Sequence, residues 1–133
     1  MLVEHARNLV GIAEAVHAEY NTQGTPIVTL LACSLQDTSI DVTFPPGSRL
    51  RSMHGVATSR ERATCSYGLE PAFAAITSQH GMAVSALDAS GAIRAVERTD
   101  HPFFVATLYQ PQLSSAPGSP HPIWTAFVRA VLA

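Results

Sequence analysis

The chain has 133 residues, of which 47% are hydrophobic and 14% charged, and its formal net charge is −2. This size and balance predict one globular domain, or a large part of one, and exclude a disordered chain. The weak negative charge gives no electrostatic basis for binding nucleic acid or an anionic membrane. No apolar run approaches the roughly 20 residues of a membrane span. Cys33 and Cys65 form neither a disulfide framework nor a metal spacing, so a cytoplasmic location is expected.

The first half of the chain predicts one helix and three extended segments. Apolar residues recur at helical spacing over 2–10, and Gly11 can end that helix, but no N-cap residue precedes Leu2. We therefore expect a helix whose beginning is missing. Strands are predicted over 27–31 and 39–44, and 48–53 is interpreted as a short return strand with Leu50 inward.

The second half predicts a helix, a hairpin, a buried strand and a last helix. Pro71 opens a helix through about residue 79, and residues 82–87 and 92–96 form a β-hairpin around the turn at 88–91. The run 103–109 is almost unbroken in apolar residues, which is typical of a strand buried on both faces. The last helix is predicted to have Ser119 as its cap, Pro120 in its first turn, and a continuous apolar face. That face is formed by Ile123, Trp124, Phe127, Val128, Val131 and Leu132.

Two glutamines follow the predicted buried strand. Pro111 removes a backbone donor and ends the strand pairing between Gln110 and Gln112. In an extended chain, residues two apart point the same way, roughly 6.6 Å from each other. We therefore expect both side chains to face one crevice at the carboxyl end of the strand, where open α/β sheets bind their ligands.

The same stretch carries a family resemblance. Residues 101–113, His-Pro-Phe-Phe-Val-Ala-Thr-Leu-Tyr-Gln-Pro-Gln-Leu, resemble the H-P-F-F-V-A-T-Q-F-H-P-E-F segment of the C-terminal domain of CTP synthase, a class I glutamine amidotransferase. Residues 2–11, 61–71 and 114–122 are similar to other segments of that domain. The resemblance covers nearly the whole chain, which is especially similar to a free-standing group described as CTP synthase C-terminal region-related (seleno)proteins.

The resemblance implies a fold. We expect an α/β chain that forms the C-terminal part of a three-layer, flavodoxin-like amidotransferase domain, with a mixed sheet and a β-hairpin. In the family, the first helix follows a nucleophile elbow, G-x-C-x-G, which this sequence does not contain. Residues 1–133 are therefore interpreted as a partial glutamine amidotransferase-like domain without its nucleophile-elbow half.

The resemblance also implies the position of a Cys-His-Glu triad. Gln110 takes the place of the triad His, and Gln112 takes the place of the triad Glu. A carboxamide can neither accept the thiol proton nor orient an imidazole by charge, and loss of a cooperating triad can cost a factor of about 10⁶ in rate. We therefore expect no catalytic residues and no glutaminase activity, and interpret the chain as a degenerate binding or partner module. The two glutamines are either polar caps at a strand end or the lining of a pocket for a small polar ligand.

Two further interpretations stay open. The chain could belong to a CTP synthase-type ligase that makes CTP from UTP with glutamine; ATP and Mg²⁺ would then be used in a synthetase domain elsewhere, and this chain would hold no cofactor. Alternatively, Cys65, beside Tyr67 and with Arg62 nearby, could carry thiol or selenol chemistry, although a cysteine acting as a small hydrophobe is the simpler interpretation. Expected partners are a synthetase or N-terminal segment, or a second copy if an apolar patch is exposed. The scattered histidines show no zinc spacing, so no metal site is predicted.

Overall fold

The computed structural model of the protein describes residues 1–32 and 34–133. Its first helix, α1 (Leu2–His5), continues directly into a π-helical segment, Ala6–Val10, and ends at Gly11, whose φ is 85°. No side chain caps the start of α1. The predicted helix over 2–10 is therefore confirmed, including its missing N-cap.

Eight strands and two further α-helices follow. The strands are β1 (Ala15–His17), β2 (Thr25–Leu30), β3 (Thr38–Thr43), β4 (Thr58–Ala63), β5 (Tyr67–Leu69), β6 (Met82–Asp88), β7 (Ile93–Arg98) and β8 (Val105–Thr107). The helices are α2 (Arg49–His54) and α3 (Pro122–Leu132), with 3₁₀ helices at Pro71–Ser78 and Pro111–Ser114. None of the helices described is long and apolar enough to cross a bilayer.

The strands form two sheets. One is a mixed sheet in the order β1-β2-β5, in which β1 and β2 are parallel and β5 is antiparallel to β2. The other is antiparallel, in the order β4-β3-β6-β7-β8. The predicted mixed sheet and β-hairpin are thus both present, the hairpin being β6 and β7.

The hairpin contains two irregularities that turn polar residues inward. Ser85 lies between the pairs Val84–Val96 and Ala86–Ala95 without a partner of its own, and Arg94 is skipped in the same way on β7. Both residues are buried, and each donates to a carboxylate. Ser85 Oγ donates to Glu97 across 2.5 Å, and Arg94 Nε donates to Asp88 across 2.7 Å.

Two apolar clusters fill the molecule. The larger one joins the antiparallel sheet to α2 and α3 and contains Val42, Phe44, Leu50, Ala63, Ala86, Ala95, Tyr109 and Ile123. The smaller one packs α1 against the mixed sheet and the first 3₁₀ helix and contains Ala6, Ala15, Ile27, Val28 and Ile76.

The predicted return strand over 48–53 is wrong, because this segment is helix α2. Ser48 Oγ accepts the backbone N–H of Arg51 at 3.2 Å, and Gly55 ends the helix with a φ of 69°. A serine cap followed seven residues later by glycine is a helix signal. Leu50 is inward as expected, but from a helix.

The predicted buried strand over 103–109 is also wrong in extent and burial. Within this segment only Val105–Thr107 is a strand, and its residues are half-buried. It pairs antiparallel with β7 and is the last strand of the described sheet. His101 Nδ1 accepts the backbone N–H of Phe103 in a local turn, which shortens the strand. Tyr109 is buried, but it lies beyond the strand.

The last helix begins later than predicted. His121, and not Ser119, is the N-cap, and Pro122 is in the first turn. Ser119 instead pairs with Ala116 in a tight turn. Ile123 is buried, but most of the predicted apolar face is solvent-exposed on the described chain. The exposed members are Trp124, Phe127, Val128, Val131 and Leu132.

The helix predicted from Pro71 is present as a 3₁₀ helix, Pro71–Ser78. Pro71 is in its first turn as expected, and Gln79 ends it with extended backbone.

Candidate functional site

The two glutamines lie in different local settings. Gln110 Oε1 accepts the backbone N–H of Thr64 at 2.8 Å, and the backbone N–H of Gln110 donates to Arg62 O at 2.8 Å. Gln110 therefore ties the end of β8 to the end of β4. Gln112 lies in the 3₁₀ helix Pro111–Ser114 and is exposed. The expectation that both side chains point the same way assumed an extended backbone, whereas the chain enters a 3₁₀ helix at Pro111.

Cys65 and Tyr67 lie beside this link. Both are half-buried, and the Cys65 thiol is within 3.3 Å of Tyr67 O and 3.4 Å of Tyr67 N. The ring of Tyr67 packs 5.2 Å from that of His17. Arg62 pairs with Asp37 instead of the thiol. The geometry therefore gives Cys65 local backbone contacts, and its nearest arginine in sequence is engaged elsewhere.

Two cavities of the described chain are lined by residues other than the four sequence-predicted positions. One has a volume of about 670 Å³ and is bounded by the hairpin turn and the first 3₁₀ helix, with Leu69, Thr77, Leu87 and Ile93 among its walls. A cavity of about 110 Å³ lies between α1 and β7. Whether Gln110, Gln112, Cys65 and Tyr67 bind a ligand stays a prediction.

A different constellation, missed by the sequence analysis, lies beneath β4. His121 Nε2 is 3.1 Å from Glu61 Oε2, and Ser59 Oγ donates to Glu61 Oε1 across 2.6 Å. His54, at the end of α2, brings a third group close, and one ligand atom of each of His54, Glu61 and His121 lies within 4.8 Å of the others. The hydroxyl of Tyr109 is also buried, and it lies close enough to Glu61 for the carboxylate charge to act on it.

Burial and hydrogen bonds set the charges of this cluster. Burial alone would raise the pKa of the Glu61 carboxyl, but the hydrogen bonds from His121 and Ser59 outweigh it and lower that pKa. Burial, assisted by repulsion from His121, lowers the pKa of His54. Burial and the neighbouring Glu61 charge raise the pKa of the Tyr109 hydroxyl. Near neutral pH the cluster therefore holds an ionised carboxylate, a neutral His54 and a neutral phenol.

Each member is positioned by a local feature of the sequence. Strand alternation along β4 turns Glu61 inward and its neighbours Arg60 and Arg62 outward. His121 caps α3, and its Nδ1 accepts the backbone N–H of Ile123 at 3.3 Å. A charged residue at an inward strand position was the one signal available, but its partners are 7 and 60 residues away, so spacing could not reveal them.

The comparisons with known proteins agree with the fold. No protein-family model matches the chain. It is 30% identical to the CTP synthases of Bradyrhizobium sp. (strain BTAi1) and Rhodopseudomonas palustris (strain BisB5), over 98% of this chain, and 29% identical to that of Phenylobacterium zucineum over 97%. The chain spans about 28% of the length of the first two relatives. It superposes on the glutaminase domain of Trypanosoma brucei CTPS, solved with bound acivicin, with a TM-score of 0.85 and 25% identity, covering 96% of this chain and 54% of that one.

A mixed sheet joined to a curled antiparallel sheet, superposing this well, is the fold of a class I glutamine amidotransferase domain. Within that class, the similarity over 98% of the chain makes this protein a relative of the glutaminase domain of CTP synthase. The resemblance expected from its sequence motifs is thereby confirmed.

Proposed function

We propose that this chain is a degenerate glutaminase-like module that binds a partner or a small polar ligand and does not hydrolyse glutamine. The observation that carries the proposal is the pair of neutral amides, Gln110 and Gln112, at the two positions that match the triad His and Glu of the family. Glutamine hydrolysis through a cysteine needs a general base to take the thiol proton and return it to ammonia.

The geometry of Gln110 supports this proposal. Its side-chain oxygen is engaged by Thr64 N–H, so the residue contributes a structural link where the family places a base. His121 does not replace the missing base, because its side chain is buried and bonded to Glu61 of β4. An amide in that place can still recognise a neutral polar group, but it cannot transfer a proton near pH 7.

The experiment measures ammonia released from glutamine by the purified chain, together with covalent labelling by an electrophilic glutamine analogue. We expect neither reaction above the background of a heat-denatured sample. Glutamine-dependent ammonia release that saturates with substrate would overturn the proposal. Cys65→Ser and Cys33→Ser variants then identify which thiol is responsible, since these are the two cysteines in the sequence.

A second candidate is a component of a glutamine-dependent ligase of the CTP synthase type. The observation in its favour is that the likeness to those enzymes extends over 98% of this chain. Activity would then need a partner segment that carries the nucleophile, and synthetase chemistry with ATP and Mg²⁺ would reside outside these 133 residues. Mixing the chain with an elbow-bearing segment of a relative tests this directly. Ammonia release that appears with the native chain supports the ligase component, whereas release that appears only with Gln110→His/Gln112→Glu supports the degenerate module.

A further inference from the structure

The cluster beneath β4 contains more ligating groups than its own hydrogen bonds use. Glu61 and His121 satisfy each other, but one ring nitrogen of His54, Nε2, and the hydroxyl of Tyr109 are buried without a hydrogen-bond partner among the described residues. Buried polar atoms of this kind are uncommon, and an ion or an ordered water is a usual explanation. A ring nitrogen of His54 lies within 4.8 Å of a Glu61 carboxylate oxygen and of a His121 ring nitrogen, a grouping that suits a bound cation.

We propose that His54, Glu61 and His121 form a binding site for Zn²⁺ or a similar divalent transition metal. Imidazole and carboxylate are ligands that zinc takes at about 2.0–2.2 Å, and a tetrahedral ion therefore separates its ligand atoms by about 3.4 Å. His121 Nε2 and Glu61 Oε2 are already 3.1 Å apart. Two imidazoles on one tetrahedral zinc place their ring centres about 5 Å apart, by the same bond lengths. The rings of His54 and His121 are 5.0 Å apart at an angle of 79°.

The surroundings are those of a metal site. Ser59 Oγ donates to Glu61 Oε1 and so holds the carboxylate in position, as outer partners of metal ligands commonly do. Three protein ligands leave a fourth position for water, and the unpartnered Tyr109 hydroxyl is available to bond to that water.

Binding requires one proton to move. In the metal-free chain His121 accepts Ile123 N–H at Nδ1, so Nε2 carries the proton that bonds to Glu61. When Nε2 ligates the metal, its proton leaves to solvent and Nδ1 takes one up, so the ring stays neutral with the same number of protons. Nδ1 then no longer accepts the Ile123 N–H, and that contact is lost. The first turn of α3 therefore loosens when the metal binds, although the site as a whole becomes more stable.

The test is a titration of the chelator-treated, full-length chain with Zn²⁺ in competition with a chromophoric chelator, and with Co²⁺ as a spectroscopic probe of coordination. We expect one ion per chain. His54→Gln should weaken binding by more than about 100-fold, because loss of an outer partner alone costs 10–100-fold. His101→Gln, which removes an exposed histidine that is not a member of the cluster, should leave the affinity unchanged.

A second readout protects the test from misfolding. His54 is half-buried at the end of a short helix, so His54→Gln should keep the native circular dichroism and melting temperature without metal. Zn²⁺ should raise the melting temperature of the wild type and of His101→Gln by mass action, and it should speed hydrogen exchange at the Ile123 amide. Absence of stoichiometric binding by the wild type, or equal affinity of His54→Gln, would overturn the proposal. Because none of these readouts depends on glutamine, their failure leaves the proposed function untouched.

Discussion

Thr64 donates its backbone N–H to the side-chain oxygen of Gln110 across 2.8 Å, so Gln110 serves as a clasp between the end of β4 and the end of β8. The same link brings Gln110 N–H to Arg62 O. In a catalytic relative of this fold, a general base in this place has to keep its side chain free for the nucleophile. Here the amide is used by the protein itself.

The clasp predicts unequal effects of two matched substitutions. Gln110→Ala should lower the free energy of unfolding by roughly 0.5–1 kcal/mol, because one hydrogen bond is lost and the exposed Thr64 N–H can turn to water. Gln112→Ala should change it by less than about 0.5 kcal/mol, as is usual for an exposed residue. Urea denaturation of the two variants measures both values. Equal changes in the free energy of unfolding would show that Gln110 does not hold the ends of β4 and β8 together.

Acid stability should depend on Asp88. Burial would raise the pKa of this carboxyl, but hydrogen bonds from Ser90, Arg94 and the Ala92 backbone lower it in the folded chain. The unfolded chain therefore takes up this proton first as the pH falls, so the contribution of Asp88 is complete above about pH 4 and is lost as the pH drops through the folded-state pKa. Asp88→Asn should destabilise the protein by about 3 kcal/mol at pH 7, since it breaks a buried ion pair with Arg94.

The comparison variant for that experiment is Asp41→Asn. Asp41 pairs with Arg60 at the surface, where both side chains are about 70% exposed. Removing such a pair should cost less than about 1 kcal/mol. The measurement is the urea midpoint from pH 3 to pH 7. A gap between the two variants that stays constant over this range would contradict the assignment to Asp88 ionisation.

The exposed face of α3 should drive self-association. Val128 and Val131 are 53% and 67% exposed and lie three residues apart on one face, next to Trp124 and Phe127. Patches of this type on a soluble chain mark contact surfaces, and a second copy is the partner already at hand. Val131→Glu should shift the protein towards monomer in sedimentation velocity runs at rising concentration. Val56→Glu, at a turn with a similar exposure of 51%, should not. A wild-type chain that is monomeric throughout would refute this prediction.

The Cys65 thiol should react as an ordinary cysteine. The thiol contacts the backbone of Tyr67, and Arg62 is paired with Asp37. A reactive thiol needs a nearby positive charge to stabilise the thiolate. Alkylation at pH 7 followed by mass spectrometry should therefore give a rate no faster than that of Cys33. A much faster rate at Cys65, abolished in Cys65→Ser, would support the thiol chemistry that the sequence left open.

The sequence predicted the elements that rest on local signals. The first helix, the hairpin and the strands near residues 27–31 and 39–44 are confirmed, because their periodicity and turn residues act over a few positions. The strand predicted over 48–53 is wrong because Ser48 caps a helix, a signal that outweighs the alternation of apolar and polar residues in this segment. The strand predicted over 103–109 is wrong in extent because an apolar run does not distinguish a buried central strand from a short edge strand flanked by turns.

The site was harder to predict because its residues are far apart in the sequence. Gln110 and Gln112 were found through a motif, but their relative orientation depended on a 3₁₀ turn that the motif did not reveal. His54, Glu61 and His121 carry no mutual spacing, since they meet only when α2, β4 and the start of α3 pack around one core. No pattern within one element could have predicted that meeting.

The two skipped residues of the hairpin set a limit on how this protein can evolve. Ser85 and Arg94 face inward only because each is one residue out of step with the opposite strand. Deletion of the skipped residue in one strand would restore regular pairing at that point only, and would exchange the inner and outer sides of the residues beyond it. The carboxylate on the affected side, Glu97 or Asp88, would then lose the hydrogen bond from Ser85 or Arg94. Descendants of this chain can therefore change the amino acids of the hairpin far more freely than its length.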